Sequence, residues 1–173
     1  GWRAAGALRI GTDHFRIDTV GDSDHSWGTR DMQRFHEHSM KTYAMQSPNG
    51  ELSVKAQLFG PPSRELPRGY ISINGDMAAV KTITERSRYH PNGLMNNISL
   101  RVEDTAGRVI DAQMPELFGA VAGPGPNVGY EGAGEWQVSK WGLCPGIASC
   151  WFANGITARE LHSGEQGITH PVE

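Results

Sequence analysis

Short runs in which apolar and polar residues alternate recur along most of the chain, and each run ends near a glycine, proline, asparagine or aspartate. A period of two is typical of half-buried antiparallel strands, because successive side chains of a strand point to opposite faces of the sheet. No segment shows the sustained periodicity of an amphipathic helix. The pattern therefore predicts an all-β protein, and many strands at close spacing indicate a barrel or a sandwich.

The predicted strands follow one another at short intervals. They cover residues 7–10, 15–20, 32–43, 52–59, 69–73, 78–89, 97–103, 108–112, 135–140 and 149–153, and a final strand or short helix covers residues 156–162. Turns are expected at Gly50, at the Gly60-Pro61-Pro62 break, at the Asn74-Gly75 pair and at residues 104–107. The glycine- and proline-rich residues 118–134 are predicted to be a long loop, either a binding loop or a surface excursion.

Length and charge narrow the possible partners. The chain has 173 residues, of which 38% are hydrophobic, and this suits a single domain with its own core. The formal net charge is -3 and the 16 lysines and arginines are scattered, so no nucleic-acid partner is expected. No apolar run approaches the roughly 18 residues of a membrane span, and no signal peptide is visible at the first residues. A cytoplasmic protein without a membrane span is predicted.

The cysteines and histidines do not predict a cofactor. Cys144 and Cys150 flank a segment short enough to be closed by a disulfide, but two cysteines without an export signal are more typical of free thiols. His36 and His38 have the spacing that places two imidazoles on one face of a strand. No carboxylate follows them at the spacing of a cupin-like site, so exposed histidines are the favoured interpretation. Neither a metal nor another cofactor is predicted.

The octapeptide DHSWGTRD at residues 24–31 concentrates ionisable groups beside a large aromatic ring. Such groups are costly to bury unless each one is paired, so the segment indicates either a polar cluster at a pocket or a structural salt-bridge cluster. In the structural interpretation Asp24 pairs with Arg30 across a turn, Asp31 accepts hydrogen bonds from backbone N–H groups, and Trp27 closes the end of a barrel. Both interpretations stay open.

This octapeptide resembles the DHSWG.RD signature of a lipocalin-like family related to carotenoid 1,2-hydratase and the AttH proteins. Residues 8–21 are similar to the strand pair that leads into the signature, and residues 69–109 are similar to the family's hairpins with their Asp-x-x-Gly turn. Residues 129–132 with Glu135 and Trp136 are similar to the family's glycine-tyrosine segment. The resemblance implies an antiparallel, calycin-type barrel of about 8 to 10 strands around a hydrophobic cavity.

The resemblance also implies a domain arrangement and a function. In that family the polypeptide has two lipocalin-like halves, and the signature lies near the start of the second half. Residues 1–173 would then form a single lipocalin-like domain that corresponds to the C-terminal half. The implied function is binding of a hydrophobic small molecule, with hydratase (lyase) or isomerase/cyclase activity on an unsaturated apolar substrate.

Hydration of an alkene requires a proton donor, a π face that stabilises the carbocation, and a base that activates water. In the scheme that the resemblance implies, Asp24 is the acid, His25 orients or relays the proton, and the ring of Trp27 stabilises the cation. Arg30 and Asp31 fix the loop. The candidate catalytic residues are Asp24, His25 and Asp31, and the candidate ligand-binding residues are Trp27, Arg30, Tyr130 and Trp136.

Two alternatives to an enzyme stay open. A barrel cavity lined by aromatic residues would by itself support a noncatalytic binder of an apolar molecule. A structural half-domain without catalysis would instead expose an apolar patch, which another lipocalin-like half or a homodimer would cover.

Overall fold

The computed structural model describes residues 2–21, 38–60, 64–89, 95–122 and 129–151. This part of the chain contains eleven strands and no helix, and therefore no helix that could cross a membrane. The strands are β1 (Trp2–Ile10), β2 (Asp13–Gly21), β3 (Ser39–Gln46), β4 (Leu52–Gly60), β5 (Leu66–Ile73), β6 (Asp76–Tyr89), β7 (Met95–Asp104), β8 (Val109–Met114), β9 (Phe118–Ala122), β10 (Gly129–Val138) and β11 (Gly142–Trp151). The all-β prediction is confirmed.

Eight of these strands close into an antiparallel barrel. Strands β3 to β8 pair in chain order, β8 pairs with β10, β10 pairs with β11, and β11 returns to β3. The additional strand β9 pairs with the first half of β10, while β8 pairs with the second half through Gln137 and Val138. Closure pairs each barrel strand on both sides, as in the predicted lipocalin-like barrel.

One end of the barrel, which we call the turn end, carries four short connections at residues 47–51, 74–75, 105–108 and 139–141. Asn74 and Gly75 have φ values of 53° and 85°, the left-handed pair of a type I′ hairpin turn. Gly107 also lies in the left-handed region, with a φ of 80°. The turns predicted at Gly50, at Asn74-Gly75 and at residues 104–107 are therefore confirmed.

At the opposite end, β3, β5, β7 and β10 begin and β4, β6 and β11 end. We call it the polar end, because Lys41, Glu65 and Glu85 are buried inside it. Gly60 ends β4 there, as the Gly60-Pro61-Pro62 break predicts. Residues 32–37 of one predicted strand and the last predicted element at 156–162 lie outside the described residues.

Side chains from alternate positions of the strands line the barrel interior. In β4, alternate residues from Leu52 to Gly60 are buried and the residues between them are partly exposed. The largest fully buried side chains are Trp136, Tyr43, Lys41, Leu52, Leu58, Ile71, Ile83, Ile98 and Met114. All except Lys41 are uncharged, so the interior is mainly apolar.

A bulge near the start of β6 changes which of its residues face the interior. The pairing with β7 shifts between Val80 and Thr82, so that Lys81 is an extra residue relative to β7. Val80 is buried before the bulge, and Ile83 and Glu85 are buried after it. The buried positions therefore change from even to odd numbers along this strand.

The prediction of a long loop over residues 118–134 is wrong. In this stretch β9 pairs with the first half of β10, and residues 123–128 lie outside the described residues. The sequence shows no alternation of apolar and polar residues here, because the two strands approach so closely that glycines are required at several positions. A Cβ on Gly119 would lie 2.2 Å from the carbonyl oxygen of Glu131. β10 also ends at Val138, short of the predicted end at residue 140.

Strands β1 and β2 form a separate hairpin outside the barrel. The hairpin touches the barrel through β2, which lies against β3 and β11. Trp2, Leu8, Ile10 and Phe15 of this hairpin are 45% to 61% exposed. A lone two-stranded hairpin is marginally stable in water, so β1 and β2 have the least support of the described strands.

Candidate functional site

Three charged side chains are buried together inside the polar end. The Nζ atom of Lys41 lies 3.2 Å from Oε2 of Glu85 and 3.4 Å from Oε2 of Glu65, and all three side chains are at most 3% exposed. Burying charges is costly unless they are paired and hydrogen-bonded. Two charge-assisted hydrogen bonds from one ammonium group hold this buried ion cluster together.

The barrel brings the cluster together from distant parts of the sequence. Lys41 is buried on the same face of β3 as Ser39 and Tyr43, because these residues are two positions apart. Glu85 faces the interior because of the bulge in β6. Glu65 directly precedes β5, which begins at the polar end. The cluster therefore depends on strand register and on closure of the barrel.

A serine holds one of the two carboxylates in place. The Ser87 hydroxyl donates to Oε1 of Glu85, whose other oxygen accepts from Lys41. Burial on its own would lower the pKa of Lys41, but the nearby charges, first of Glu85 and then of Glu65, outweigh it and the pKa is raised. Lys41 is therefore a cation throughout the neutral pH range.

Tyr43, two residues after Lys41 on β3, makes an aromatic contact with Trp136. Their ring centroids are 6.1 Å apart and the ring planes are perpendicular. The Tyr43 hydroxyl lies 3.9 Å from Sγ of Cys150, and Cys150 is the cross-strand partner of Lys41. The buried Nε1–H of Trp136 has no hydrogen-bond partner among the described residues. Such a donor is uncommon in a folded interior, and ligand binding by Trp136 stays a prediction.

The structure describes few of the other predicted site residues. Five of them lie outside the described residues, namely Asp24, His25, Trp27, Arg30 and Asp31. Tyr130 lies on β10, where its backbone pairs with Cys150 and Val121. The catalytic and ligand-binding roles of these residues therefore stay predictions.

The histidines and cysteines of the described residues do not form a metal site. No group of three or more His, Cys, Asp and Glu side chains in this part of the chain could hold a metal ion. The ring of His38 stacks on Phe59 with centroids 5.3 Å apart, and His36 lies outside the described residues. Cys144 and Cys150 are both buried and form no disulfide, which confirms that prediction. Burial raises the pKa of Cys144 to about 11.

A different buried carboxylate, Asp104, lies at the turn end. Its Oδ1 accepts from the N–H groups of Ala106 and Arg108, both at 2.9 Å, and its Oδ2 accepts from Nε of Arg108 at 2.6 Å. The guanidinium also donates to the carbonyl oxygens of Asp76 and Ile71, both at 2.9 Å. Burial on its own would raise the pKa of Asp104, but these hydrogen bonds hold it below its ordinary value. This turn-end cluster joins the β7–β8 turn to β5 and β6.

The sequence of residues 2–131 matches a protein family described as "Domain of unknown function (DUF7064)". The chain belongs to the DUF7064 family. Among solved structures, kievitone hydratase from Nectria haematococca is similar, with 12% sequence identity and a TM-score of 0.49. The similarity covers 90% of this chain and 51% of the hydratase chain, so this chain spans about half the length of that chain. No curated protein sequence matches the chain.

Sequence reasoning missed the buried ion cluster of this DUF7064 member. The usable signal is a charged residue on the same strand face as large apolar residues, as for Lys41 beside Tyr43 and Glu85 beside Ile83. On its own this pattern also fits a strand whose face is partly exposed. For Glu65, which lies between the predicted strands, the sequence carries no such signal.

Proposed function

We propose that the barrel binds an apolar small molecule in its interior, with the polar group of the molecule at the polar end. The observation that carries this proposal is the ion cluster of Lys41, Glu65 and Glu85, buried in a mainly apolar interior. Small-molecule sites combine apolar walls with a few convergent polar groups. Buried ionisable groups with perturbed pKa values are typical of functional sites, and the pKa of Lys41 is raised.

The proposed activity is hydration, or isomerisation with cyclisation, of an unsaturated apolar substrate. Both reactions pass through electron-poor carbon centres, which aromatic faces such as those of Tyr43 and Trp136 stabilise. Both also need groups that give and take protons, and the cluster holds carboxylates and an ammonium within hydrogen-bond reach of one another. The interior therefore has the types of group that this chemistry uses.

In this proposal the octapeptide at residues 24–31 supplies the main acid–base residues. Its segment leads into β3, which begins at Ser39 in the polar end, two residues before Lys41. Asp24 is the proposed acid and His25 the proposed relay, as the likeness to the family of carotenoid 1,2-hydratase and AttH implies. The remaining proposed site residues are Trp27, Arg30, Asp31, Tyr130 and Trp136.

Binding of Nile red, a neutral apolar dye, tests the first part of the proposal. We expect saturable dye fluorescence with the wild-type protein and with the Leu8→Ser/Phe15→Ser variant, which makes the exposed hairpin polar. Fluorescence that this variant abolishes would place the dye on the hairpin and contradict the proposal. Absence of binding to the wild-type protein would contradict it as well.

The variants Asp24→Asn and His25→Ala test the proposed role of the octapeptide. Dye affinity, turnover of any substrate found and the free energy of unfolding are measured for each variant. A variant that binds or turns over less, but has the same free energy of unfolding as the wild type, supports a functional site. Lower stability at unchanged affinity supports the structural salt-bridge cluster and contradicts the proposed roles.

A noncatalytic half-domain is the second candidate function, and the β1–β2 hairpin favours it. Trp2, Leu8, Ile10 and Phe15 give the hairpin exposed apolar surface, which a second copy or another lipocalin-like half would cover. Native mass spectrometry separates the candidates. A ligand-free dimer that Leu8→Ser/Phe15→Ser converts to monomer supports the half-domain, whereas a monomer that retains an apolar molecule supports ligand binding.

A cytoplasmic location is part of the proposal. Cys144 and Cys150 form no disulfide, and thiols stay reduced in that compartment. Fractionation of cells that express the tagged, full-length protein tests the location. Recovery from the membrane fraction or the culture medium would contradict it.

A further inference from the structure

We infer that the polar end recognises a hydroxyl group, so that the ligand is an apolar alcohol or phenol and not a carboxylate. This inference rests on the proposed function, because it requires a ligand in the barrel interior. It follows from which hydrogen-bond donors and acceptors of the buried ion cluster have partners among the described residues and which do not.

Among the described residues, Lys41 uses two of its three N–H groups and keeps the third for a ligand. An ammonium group carries three N–H donors, and Oε2 of Glu65 and Oε2 of Glu85 accept two of them. No described residue accepts from the third N–H group. The Lys41 side chain is 2% exposed, so bulk water has almost no access to this donor.

The two carboxylates differ in how many of their oxygens are engaged. Both oxygens of Glu85 accept a hydrogen bond, one from Lys41 and the other from Ser87. Glu65 accepts from Lys41 through Oε2, and no described residue donates to its Oε1. Within the described part of the chain, the cluster therefore keeps one unused donor, on Lys41, and one unused acceptor, on Glu65, in the same hydrogen-bonded unit.

A hydroxyl group is the simple polar group that fits both positions. It donates one hydrogen bond, to Glu65, and accepts another, from Lys41. A carboxylate only accepts, and it would add a negative charge to two carboxylates that share one ammonium. A protonated amine only donates, and it would lie next to the positive charge of Lys41. The cluster is therefore expected to discriminate among otherwise similar apolar molecules by their polar groups.

Competition with Nile red tests this discrimination. Decanol, decanoate and decylamine share one alkyl chain and differ in their polar group. Each is titrated separately into the wild-type protein with bound dye, and the concentration that displaces half of the dye is measured. We expect decanol to displace the dye at a concentration about tenfold or more below that of decanoate, because a buried polar site rejects a group that leaves it unpaired. Decylamine is also expected to bind more weakly than decanol.

The variant Glu65→Gln tests the residue that sets the preference. Glutamine keeps the shape and an oxygen that accepts from Lys41, but it replaces the unused acceptor by an N–H₂ donor. Decanoate should then gain roughly tenfold in affinity and decanol should lose affinity, which reverses the order. Glu103→Gln is the matched control, because Glu103 pairs with Lys81 on the barrel surface, and it should leave the order unchanged.

The outcomes separate this inference from the proposed function. If Nile red binds and decanoate displaces it as well as decanol, the hydroxyl assignment is overturned and ligand binding stands. Decylamine ahead of decanol, or an order that a folded Glu65→Gln variant leaves unchanged, overturns the assignment too. If Nile red does not bind, the proposed function fails and the inference fails with it. If circular dichroism shows that Glu65→Gln does not fold, the order in which the three competitors displace the dye from the wild-type protein decides the hydroxyl assignment.

Discussion

The two ends of the barrel each bury a carboxylate beside a cation, but they use their hydrogen-bonding groups differently. At the turn end, Asp104 accepts from two backbone N–H groups and from Arg108, whose guanidinium also reaches two carbonyl oxygens. At the polar end, Lys41 and Glu65 each keep a position that no described residue fills. The filled cluster is thus the one expected to fix the fold, and the partly filled cluster is the one that the proposed ligand would contact.

Removal of the carboxylate at the turn end should have the largest effect. Asp104→Ala leaves the backbone N–H groups of Ala106 and Arg108 and the Nε–H of the Arg108 side chain without their acceptor, so the free energy of unfolding should fall by about 3–5 kcal/mol. Urea unfolding measures this loss. The control is Asp111→Ala, because the Arg101–Asp111 pair is exposed and should contribute under about 1 kcal/mol. Similar losses in both variants would show that the turn-end cluster does not fix the fold.

Neutralisation of the polar end should affect stability in two opposite steps. Lys41→Met leaves two buried carboxylates without a cation and should cost about 3 kcal/mol. The triple variant Lys41→Met/Glu65→Leu/Glu85→Leu should return to within about 1 kcal/mol of the wild type, because apolar groups can replace a buried ion cluster. Urea unfolding measures both steps. A triple variant that stays as unstable as Lys41→Met would assign a structural role to the cluster.

Acid should weaken the protein through the turn end. The pKa of Asp104 is lower in the folded protein than its ordinary value of 3.8. Its contribution to stability is therefore present in full above pH values near 3.8 and is lost as the pH falls through the folded value. Between about pH 6 and about pH 3, the free energy of unfolding in urea should decline less for Asp104→Asn than for the wild type. Equal declines would contradict the lowered pKa.

The smallest effect concerns the cysteine in the half of the barrel near the turn end. With a pKa of about 11, Cys144 has roughly one thiol in a thousand ionised at pH 8, and it is buried. Iodoacetamide should therefore leave Cys144 unmodified in the folded protein and should modify it in urea. Peptide mass spectrometry reads both cysteines separately. Modification of Cys144 at equal rates in folded and unfolded protein would show that this half of the barrel opens.

Local features of the fold could be predicted from the sequence, and features that depend on backbone contact could not. The hairpin at Asn74-Gly75 follows from residues that adopt positive φ, and both do so. The β9–β10 pair shows no alternation because glycines replace the informative side chains. Gly119 and Gly132 lie where a Cβ would meet Glu131 and Leu117 at under 3 Å, so chain packing and not local pattern requires them.

The candidate site divides in the same way. The octapeptide stands out in the sequence because its ionisable groups are neighbours, and its role stays a prediction. The buried ion cluster joins Lys41 to partners 24 and 44 residues away. Its assembly depends on the register of β3 to β6 and on the β6 bulge. The sequence indicates the turns that join these strands, but it indicates neither the register nor the bulge. Long-range register is therefore the information that the sequence pattern lacks.

The bulge at Lys81 makes one strand contribute an apolar residue near the turn end and a charged residue at the polar end. If Lys81 paired with β7 as a regular residue, the alternation that buries Val80 would bury Thr84 and Arg86 and turn Glu85 towards solvent. Deletion of Lys81 itself would restore regular alternation with Glu85 still inside, whereas loss of one residue between Lys81 and Glu85 would turn this carboxylate out of the interior without any substitution in the cluster. Among DUF7064 relatives, a change of chain length in β6 is therefore a route by which the charged groups of the interior can diverge while the barrel is retained.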